Sequence, residues 1–181
     1  MNATSQQVIK FHPSWIFSKI RFQYESVRNE KISIGLLASL HYAWFKGFQI
    51  GPMAKLYIGK KEAPNGTYLQ VQSQFFSMSC THTFYVMYTN FFEEFVQQTK
   101  KASGVGFGFG FGKQWIFGSK NNFVIDAMIG LKYHKIPTHA FYFSYVDKNE
   151  IFHENVLPKV IWYLTGPGSL LNNHLAIGYL F

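Results

Sequence analysis

The stretch Gly104-Val105-Gly106-Phe107-Gly108-Phe109-Gly110-Phe111-Gly112 decides the fold. Successive side chains of a β-strand point to opposite faces. This segment therefore carries Val105, Phe107, Phe109 and Phe111 on one face and bare backbone on the other. Such a glycine run is costly in the strand of a soluble core, where each glycine forfeits packing and adds entropy to the unfolded chain. In a small barrel the same run makes room for long interior side chains from opposite strands, such as Lys19, Arg21 or Lys55. A phosphate-cradling glycine loop needs a helix after it. Here the alternation continues instead as a ladder of phenylalanines.

The same period of two runs outward in both directions. Lys19, Arg21, Gln23 and Glu25 share one face, and Ile20, Phe22 and Tyr24 the other. After the turn Arg28-Asn29-Glu30-Lys31, the residues Ile32, Ile34, Leu36, Ala38, Leu40 and Tyr42 oppose Ser33, Gly35, Leu37, Ser39 and His41. Phe48, Ile50, Ala54, Leu56 and Ile58 then oppose Gln49, Gly51, Met53, Lys55 and Tyr57, and Leu69, Val71 and Phe75 oppose Gln70, Gln72 and Gln74. Beyond the glycine run, Phe123, Ile125, Ala127, Ile129, Leu131 and Tyr133 oppose Val124, Asp126, Met128, Gly130, Lys132 and His134, and the chain closes with Leu175, Ile177, Tyr179 and Phe181.

Segments of roughly this length, about 9–12 residues, cross a bilayer when tilted, and apolar-out, polar-in alternation is the pattern of transmembrane strands. Tyr24, Tyr42, Trp44, Tyr57, Tyr133 and Tyr179 stand near strand ends, where an interfacial aromatic girdle is expected. Strands are expected near 8–14, 18–27, 31–42, 47–58, 67–79, 103–116, 122–134 and 170–181. An even number of strands closes without exposed sheet edges. The expected fold is thus all-β: a single closed antiparallel transmembrane β-barrel of eight strands, one domain over residues 1–181. Both termini fall on the periplasmic side, with short turns at 28–31, 59–66 and 117–122. Long loops at about 80–102 and 135–169 lie outside, the usual asymmetry. Asn90 to Gln98 shows a weak helical spacing, and Leu157 to Thr165 reads equally as a further strand.

Short motifs point the same way. Val8-Ile9-Lys10-Phe11, Phe22-Gln23-Tyr24-Glu25, Ala63-Pro64-Asn65-Gly66-Thr67-Tyr68, the alternating glycines and the closing Gly178-Tyr179-Leu180-Phe181 resemble the small outer-membrane β-barrels of unknown function common in Bacteroidota, of the eight-stranded OmpA/OmpX-like kind. Gln7 departs from the asparagine usual before the first motif, and the 135–169 region is extended. The resemblance implies the fold and a Gram-negative outer membrane, and no reaction. The terminal aromatic Phe181 resembles the signal read by the barrel-assembly machinery.

Composition agrees. The 181 residues include 20 Phe and 11 Tyr, with only 14% charged residues against about 25% in an ordinary soluble domain. Disordered chains show the reverse balance. Cys80 alone excludes an intramolecular disulfide or a cysteine zinc site. No apolar run is long enough for a transmembrane helix. The first residues carry no secretory signal, so the expectation is a mature outer-membrane protein whose leader lies outside this numbering.

For chemistry, the interior set is Lys19, Arg21, Glu25, His41, Lys55, Asp126 and Lys132. Charges in a narrow barrel must be paired or hydrated, and an eight-stranded barrel is just wide enough for its side chains to fill. A packed polar plug is favoured over a narrow anion-selective path. His12 and Ser14 have the His-x-Ser spacing of outer-membrane lipid A deacylases, yet no carboxylate partner or oxyanion site accompanies them. The seven histidines show no metal spacing. No catalytic residue, metal or cofactor is therefore assigned.

A net charge of +8 spreads over turns, interior and Lys100-Lys101 rather than along a helix, so no nucleic-acid partner is expected. Expected partners are outer-membrane lipid, the assembly machinery and other outer-membrane proteins. Phe84, Tyr85, Tyr88, Phe91, Phe92 and Phe95 make the 80–102 region a candidate partner loop. The favoured function is a non-enzymatic barrel, structural or an accessory subunit of an outer-membrane complex. The alternatives are a soluble lipocalin-like binder of hydrophobic ligands and a lipid-modifying hydrolase.

Overall fold

The computed structural model describes residues 6–13, 18–59, 61–87, 93–118, 120, 122–135, 141–146, 151–164 and 168–181, without the side chains of 85–87, 93 and 94. In chain order the elements are β1 (Gln7–Phe11), β2 (Lys19–Val27), β3 (Ile32–His41), β4 (Phe45–Ile58), β5 (Gly66–Met87), β6 (Glu93–Phe117), β7 (Phe123–His134), β8 (Phe143–Val146), β9 (Phe152–Asn155), α1 (Leu157–Leu164) and β10 (His174–Leu180).

Eight of the strands close an antiparallel barrel in the order β1-β10-β7-β6-β5-β4-β3-β2, while β8 and β9 form a separate hairpin. The seam is closed by β1 on β10, with Val8 opposite Leu180 and Phe11 opposite Ile177. Both termini and the turns 28–31, 59–65 and 118–122 lie at one end. The connection 42–44 and the ends of β5 and β6 at Met87 and Glu93 lie at the other. The ladder between β4 and β5 is interrupted at Gly51 and Pro52, because proline has no N–H to give.

Alternation is observed throughout, apolar outward and polar inward. Phe107 is 64% exposed and Ile129 67%, whereas Lys10, Glu25 and Asp126 are fully buried. This polarity is the reverse of a lipocalin-like barrel. On β5 the outward row turns from Leu69, Val71 and Phe75 to Ser77, Ser79, Thr81 and Thr83. On β6 it turns from Phe111, Phe109, Phe107 and Val105 to Ser103, Lys101 and Thr99. The apolar belt thus ends where β5 and β6 continue past their neighbours. Trp115, Phe117, Phe123 and Tyr179 are exposed near its lower margin, and Tyr42, Trp44 and Tyr133 near its upper one.

Several expectations are corrected. The stretch from residue 80, expected as a loop, is strand as far as Met87 and again from Glu93, so the two strands form a long hairpin standing clear of the belt. The short helix expected within 90–98 is β6 from Glu93 onward. The first strand ends at Phe11, and Ser14 and Trp15 lie outside the described residues. The 135–169 region, expected as a loop in which 157–165 also reads as a strand, carries the β8–β9 hairpin and helix α1. The Asn155 side chain accepts the Leu157 N–H at 2.8 Å, and Pro158 occupies the first turn, where no amide donor is needed.

Tyr57, expected in the girdle, is 1% exposed and points inward with its row-mates Met53 and Lys55. The glycine face is not filled from opposite strands. A side chain at Gly106 would strike the His134 ring, at Gly108 Lys132 and Gln72, at Gly110 Met128, and at Gly112 Tyr68, all from adjacent β5 and β7.

Arginine replacing Phe109 in the apolar belt is expected to cost about 2–4 kcal/mol in folding from urea into lipid vesicles. Arginine replacing Thr81, on the outward face above the belt, is expected to change stability by less than about 0.5 kcal/mol.

Candidate functional site: a sealed ionic network under an aromatic cap

Closure brings together inward side chains from sequence-distant strands at the end nearer the termini. Lys10 of β1 reaches Glu25 Oε2 and Asp126 Oδ2, each at 2.6 Å. Lys55 of β4 reaches the same two oxygens at 3.2 and 2.7 Å. Two ammonium groups thus stand between two carboxylates, and the charges cancel.

The remaining acceptor capacity is also used. Glu25 Oε1 accepts from Ser33 Oγ and Tyr57 Oη, both at 2.6 Å. Asp126 Oδ1 accepts from Tyr68 Oη at 2.5 Å. Gln114 Oε1 takes bonds from Lys10 at 2.5 Å and Lys55 at 3.1 Å. The Lys55 ammonium also sits 3.9 Å from the centroid of the Tyr68 ring. His174 Nε2 of β10 stands 3.8 Å from Asp126 Oδ1, beyond hydrogen-bond length.

All eight barrel strands therefore contribute to one cluster whose four charged side chains have no solvent contact. Moving such ions out of water costs several kcal/mol each and is repaid only when every lone pair is matched. Here every carboxylate oxygen has a partner, while Gln114 Nε2 and His174 Nε2 have no hydrogen-bond partner. The cluster reaches the barrel wall on every side, and it places no nucleophile beside a base with a third orienting group.

Three expected interior residues, Glu25, Lys55 and Asp126, meet in this network. The other four, Lys19, Arg21, His41 and Lys132, face inward nearer the opposite end. Arg21 Nε donates to Ser39 Oγ at 3.1 Å, and Gln49 bridges His41 at 3.3 Å and His134 at 3.5 Å. His12 is buried edge-on against His174, with ring centroids 4.6 Å apart. Its expected companion Ser14 lies outside the described residues.

Sequence reading missed Lys10, Ser33, Tyr57, Tyr68, Gln114 and His174. Parity was the available signal: Ser33, Tyr57, Tyr68 and Gln114 each lie an even number of residues from His-, Lys-, Gln- or Gly-bearing inward rows on their strands, and His174 lies an odd number from the outward row of Leu175 and Ile177. Lys10 was masked because it shares its face with the apolar Val8, itself 0% exposed.

The end remote from the termini is covered by an apolar cluster. It comprises Phe45, Phe76, Met78, Cys80, Phe84, Ala102, Phe141, Phe143 and Trp162. Trp162 lies 5.2 Å from both Phe45 and Phe76 and 5.1 Å from Phe141, centroid to centroid. Phe141 itself adopts a left-handed φ of 59°, a conformation that costs a non-glycine residue roughly 1–2 kcal/mol and is held here by burial.

The β8–β9 segment is tied to the tall hairpin by Gln98 Nε2 to the Ser144 carbonyl at 2.9 Å, His82 with Asn155 at 2.8 Å, and Lys100 to the Tyr142 carbonyl. This revises the candidate partner loop. Phe84 is buried in the cap, 5.9 Å from Tyr145 between ring centroids, because it shares the inward parity of Phe76, Met78 and Cys80. Phe95 is exposed. Tyr88, Phe91, Phe92 and the Tyr85 side chain lie outside the described residues.

Two solved barrels are similar in fold. The crystal structure of the N-terminal β-barrel domain of Pseudomonas aeruginosa OprF is 11% identical with a TM-score of 0.46, over 98% of this chain and 97% of that one. The crystal structure of Neisserial surface protein A is 12% identical with a TM-score of 0.32, over 97% of this chain and 92% of that one. No protein-family model and no curated protein matches the chain. The fold assignment rests on the strand pairing of the chain itself.

Asp126→Asn leaves two ammonium groups facing one carboxylate, and is expected to destabilise the barrel by about 3–5 kcal/mol in urea titrations in detergent micelles. Adding Lys10→Met to that variant, which restores neutrality, is expected to recover part of the loss.

Proposed function

We propose that this chain is an integral protein of a Gram-negative outer membrane that works without catalysis, as a structural element or accessory subunit. One observation carries the reading: a closed wall, apolar outside, encloses an interior whose charges are neutralised at one end and capped by aromatic rings at the other. A wall of this kind is stable only in a hydrocarbon surround, since it exposes far more contiguous apolar surface than a soluble monomer tolerates. A lumen crossed by bonded side chains leaves little room for an aqueous path.

The terminal motifs support placement among the small Bacteroidota-type barrels they resemble. The partners that fit are bilayer lipid along the apolar belt, the assembly machinery during insertion, and other outer-membrane proteins. The tall β5–β6 hairpin, with its polar outward row of Ser79, Thr81, Thr83 and Gln97, is the part raised furthest from the belt, and so the part offered to such proteins.

Detergent-extracted protein run with and without boiling tests the reading, since a closed barrel keeps its compact mobility until heated. Distinct mobilities are expected, together with no measurable conductance after reconstitution in planar bilayers. Protein that stays soluble without detergent and shows one mobility would overturn the membrane assignment. Steady open-channel current would overturn the non-conducting one.

A further inference from the structure

The outward face of the wall is not evenly filled. Between β2 and β6 a concavity of about 740 Å³ opens on it, apolar over most of its lining. Its floor consists of small outward residues: Ser26 on β2, Pro52 and Ala54 on β4, and Ser73 on β5. Register brings them together. Ile34 pairs with Ala54, Ala54 with Val71, Leu36 with Pro52 and Ser73 with Phe107. Leu36 and Phe107, both exposed, stand as ridges on either side.

The size suits a ligand, since binding sites for small molecules span about 300–1,000 Å³. The depth suits one leaflet. Along β2 the lining runs from Tyr24 to Arg28, four residues at roughly 3.3 Å each, or about 13 Å. Half of a hydrocarbon core roughly 30 Å thick is about 15 Å.

The chemistry changes toward the termini. There Arg28 continues the outward row of Tyr24 and Ser26, so a guanidinium follows two hydroxyls. The turn fixes its backbone. The Arg28 N–H donates to the Ile32 carbonyl at 2.9 Å, and Asn29 Oδ1 accepts from the Lys31 and Ile32 amides at 2.9 and 2.8 Å. Among the described lining residues none is acidic. An apolar trough that ends at a cation beside the membrane margin is complementary to a chain that ends at a phosphate. Arginine is the side chain best shaped for that group.

We propose that this hollow binds one glycerophospholipid from the leaflet on the side of the termini, with an acyl chain over Pro52, Ala54 and Ser73 and the phosphate on Arg28. The inference rests on the reading of the chain as a membrane barrel, and adds a single defined site to general solvation by lipid. A second copy fits less well, because a two-fold contact sets the same patch, with its own Arg28, against this one.

The test refolds the full chain from urea into dodecyl maltoside micelles doped with phosphatidylglycerol or with diacylglycerol of the same chains. After exchange into lipid-free micelles, native mass spectrometry counts the lipids kept per barrel. One phosphatidylglycerol is expected, with diacylglycerol kept at least about tenfold less. Arg28→Gln is expected to lower phosphatidylglycerol retention by about tenfold. Ala54→Trp, which fills the floor, is expected to abolish it. Ala127→Trp, on the outward face of β7 and away from the hollow, is expected to leave it unchanged. Every variant is expected to keep the heat-dependent mobility of a closed barrel. A barrel that keeps this mobility but retains no phosphatidylglycerol, retains it equally in Arg28→Gln and Ala54→Trp, or carries a second copy in its place would overturn the proposal while the membrane reading stands. Loss of the mobility shift in the unaltered chain would overturn both.

Discussion

Four ionised side chains without solvent contact, Lys10, Lys55, Glu25 and Asp126, are the constraint on which the rest of the barrel depends. Lys10 meets Glu25 across the neighbouring strands β1 and β2, but Asp126 lies 116 residues from Lys10 and 71 from Lys55, so the set is completed only when the wall closes. An unclosed sheet would leave buried charge uncompensated, at several kcal/mol per ion. The network is thus weak evidence for stability in itself and strong evidence for a single register. A slip of one residue in any strand turns its whole inward row to the outside. In β2 that slip would carry Glu25 from Tyr57 and Ser33 to the apolar belt.

The glycine face of β6 answers the same geometric demand from the opposite direction. A barrel of this size has interior space for only a limited number of large side chains. The ring of Tyr68, the thioether of Met128, the stem of Lys132 and the ring of His134 lie over Gly112, Gly110, Gly108 and Gly106. The tyrosine that donates to Asp126 can lean across because β6 contributes no bulk there. Removing side chains from one strand therefore positions the side chains of its two neighbours, and with them half of the acceptor matching around Asp126.

What was legible in the sequence follows from this physics. Alternation such as Phe107/Gly108/Phe109 has one periodicity and one solution, so the barrel, its sidedness and the inward set Glu25, Lys55 and Asp126 could be read directly. Tyr57 gave two conflicting signals, since its parity with Lys55 points inward while a tyrosine near a strand end also suits an interface. Parity prevails, and the hydroxyl donates to Glu25, 32 residues away. The run from Leu157 to Leu164 is apolar on both parities, and such a run does not distinguish strand from helix. Asn155 and Pro158 carried that information. The tall hairpin was hidden for a related reason: outside the belt, Ser, Thr, Gln and Lys on its outward row look like loop composition, although the inward row Phe76, Met78, Cys80, Phe84 kept its period throughout.

The two ends of the lumen are closed by different physics. Near the termini, two ammonium groups and two carboxylates cancel within one cluster, although the amide nitrogen of Gln114 and Nε2 of His174 beside it have no hydrogen-bond partner. At the other end Phe45, Phe76, Phe141 and Trp162 meet ring against ring and need no charge matching. An ionic network tolerates only one register, because a slip of one residue turns its members outward. An apolar cluster is less exacting, since hydrophobic side chains of similar volume can replace one another at small cost. Register is therefore set at the end nearer the termini, and the aromatic cap supplies coverage at the end where the strands differ most in length.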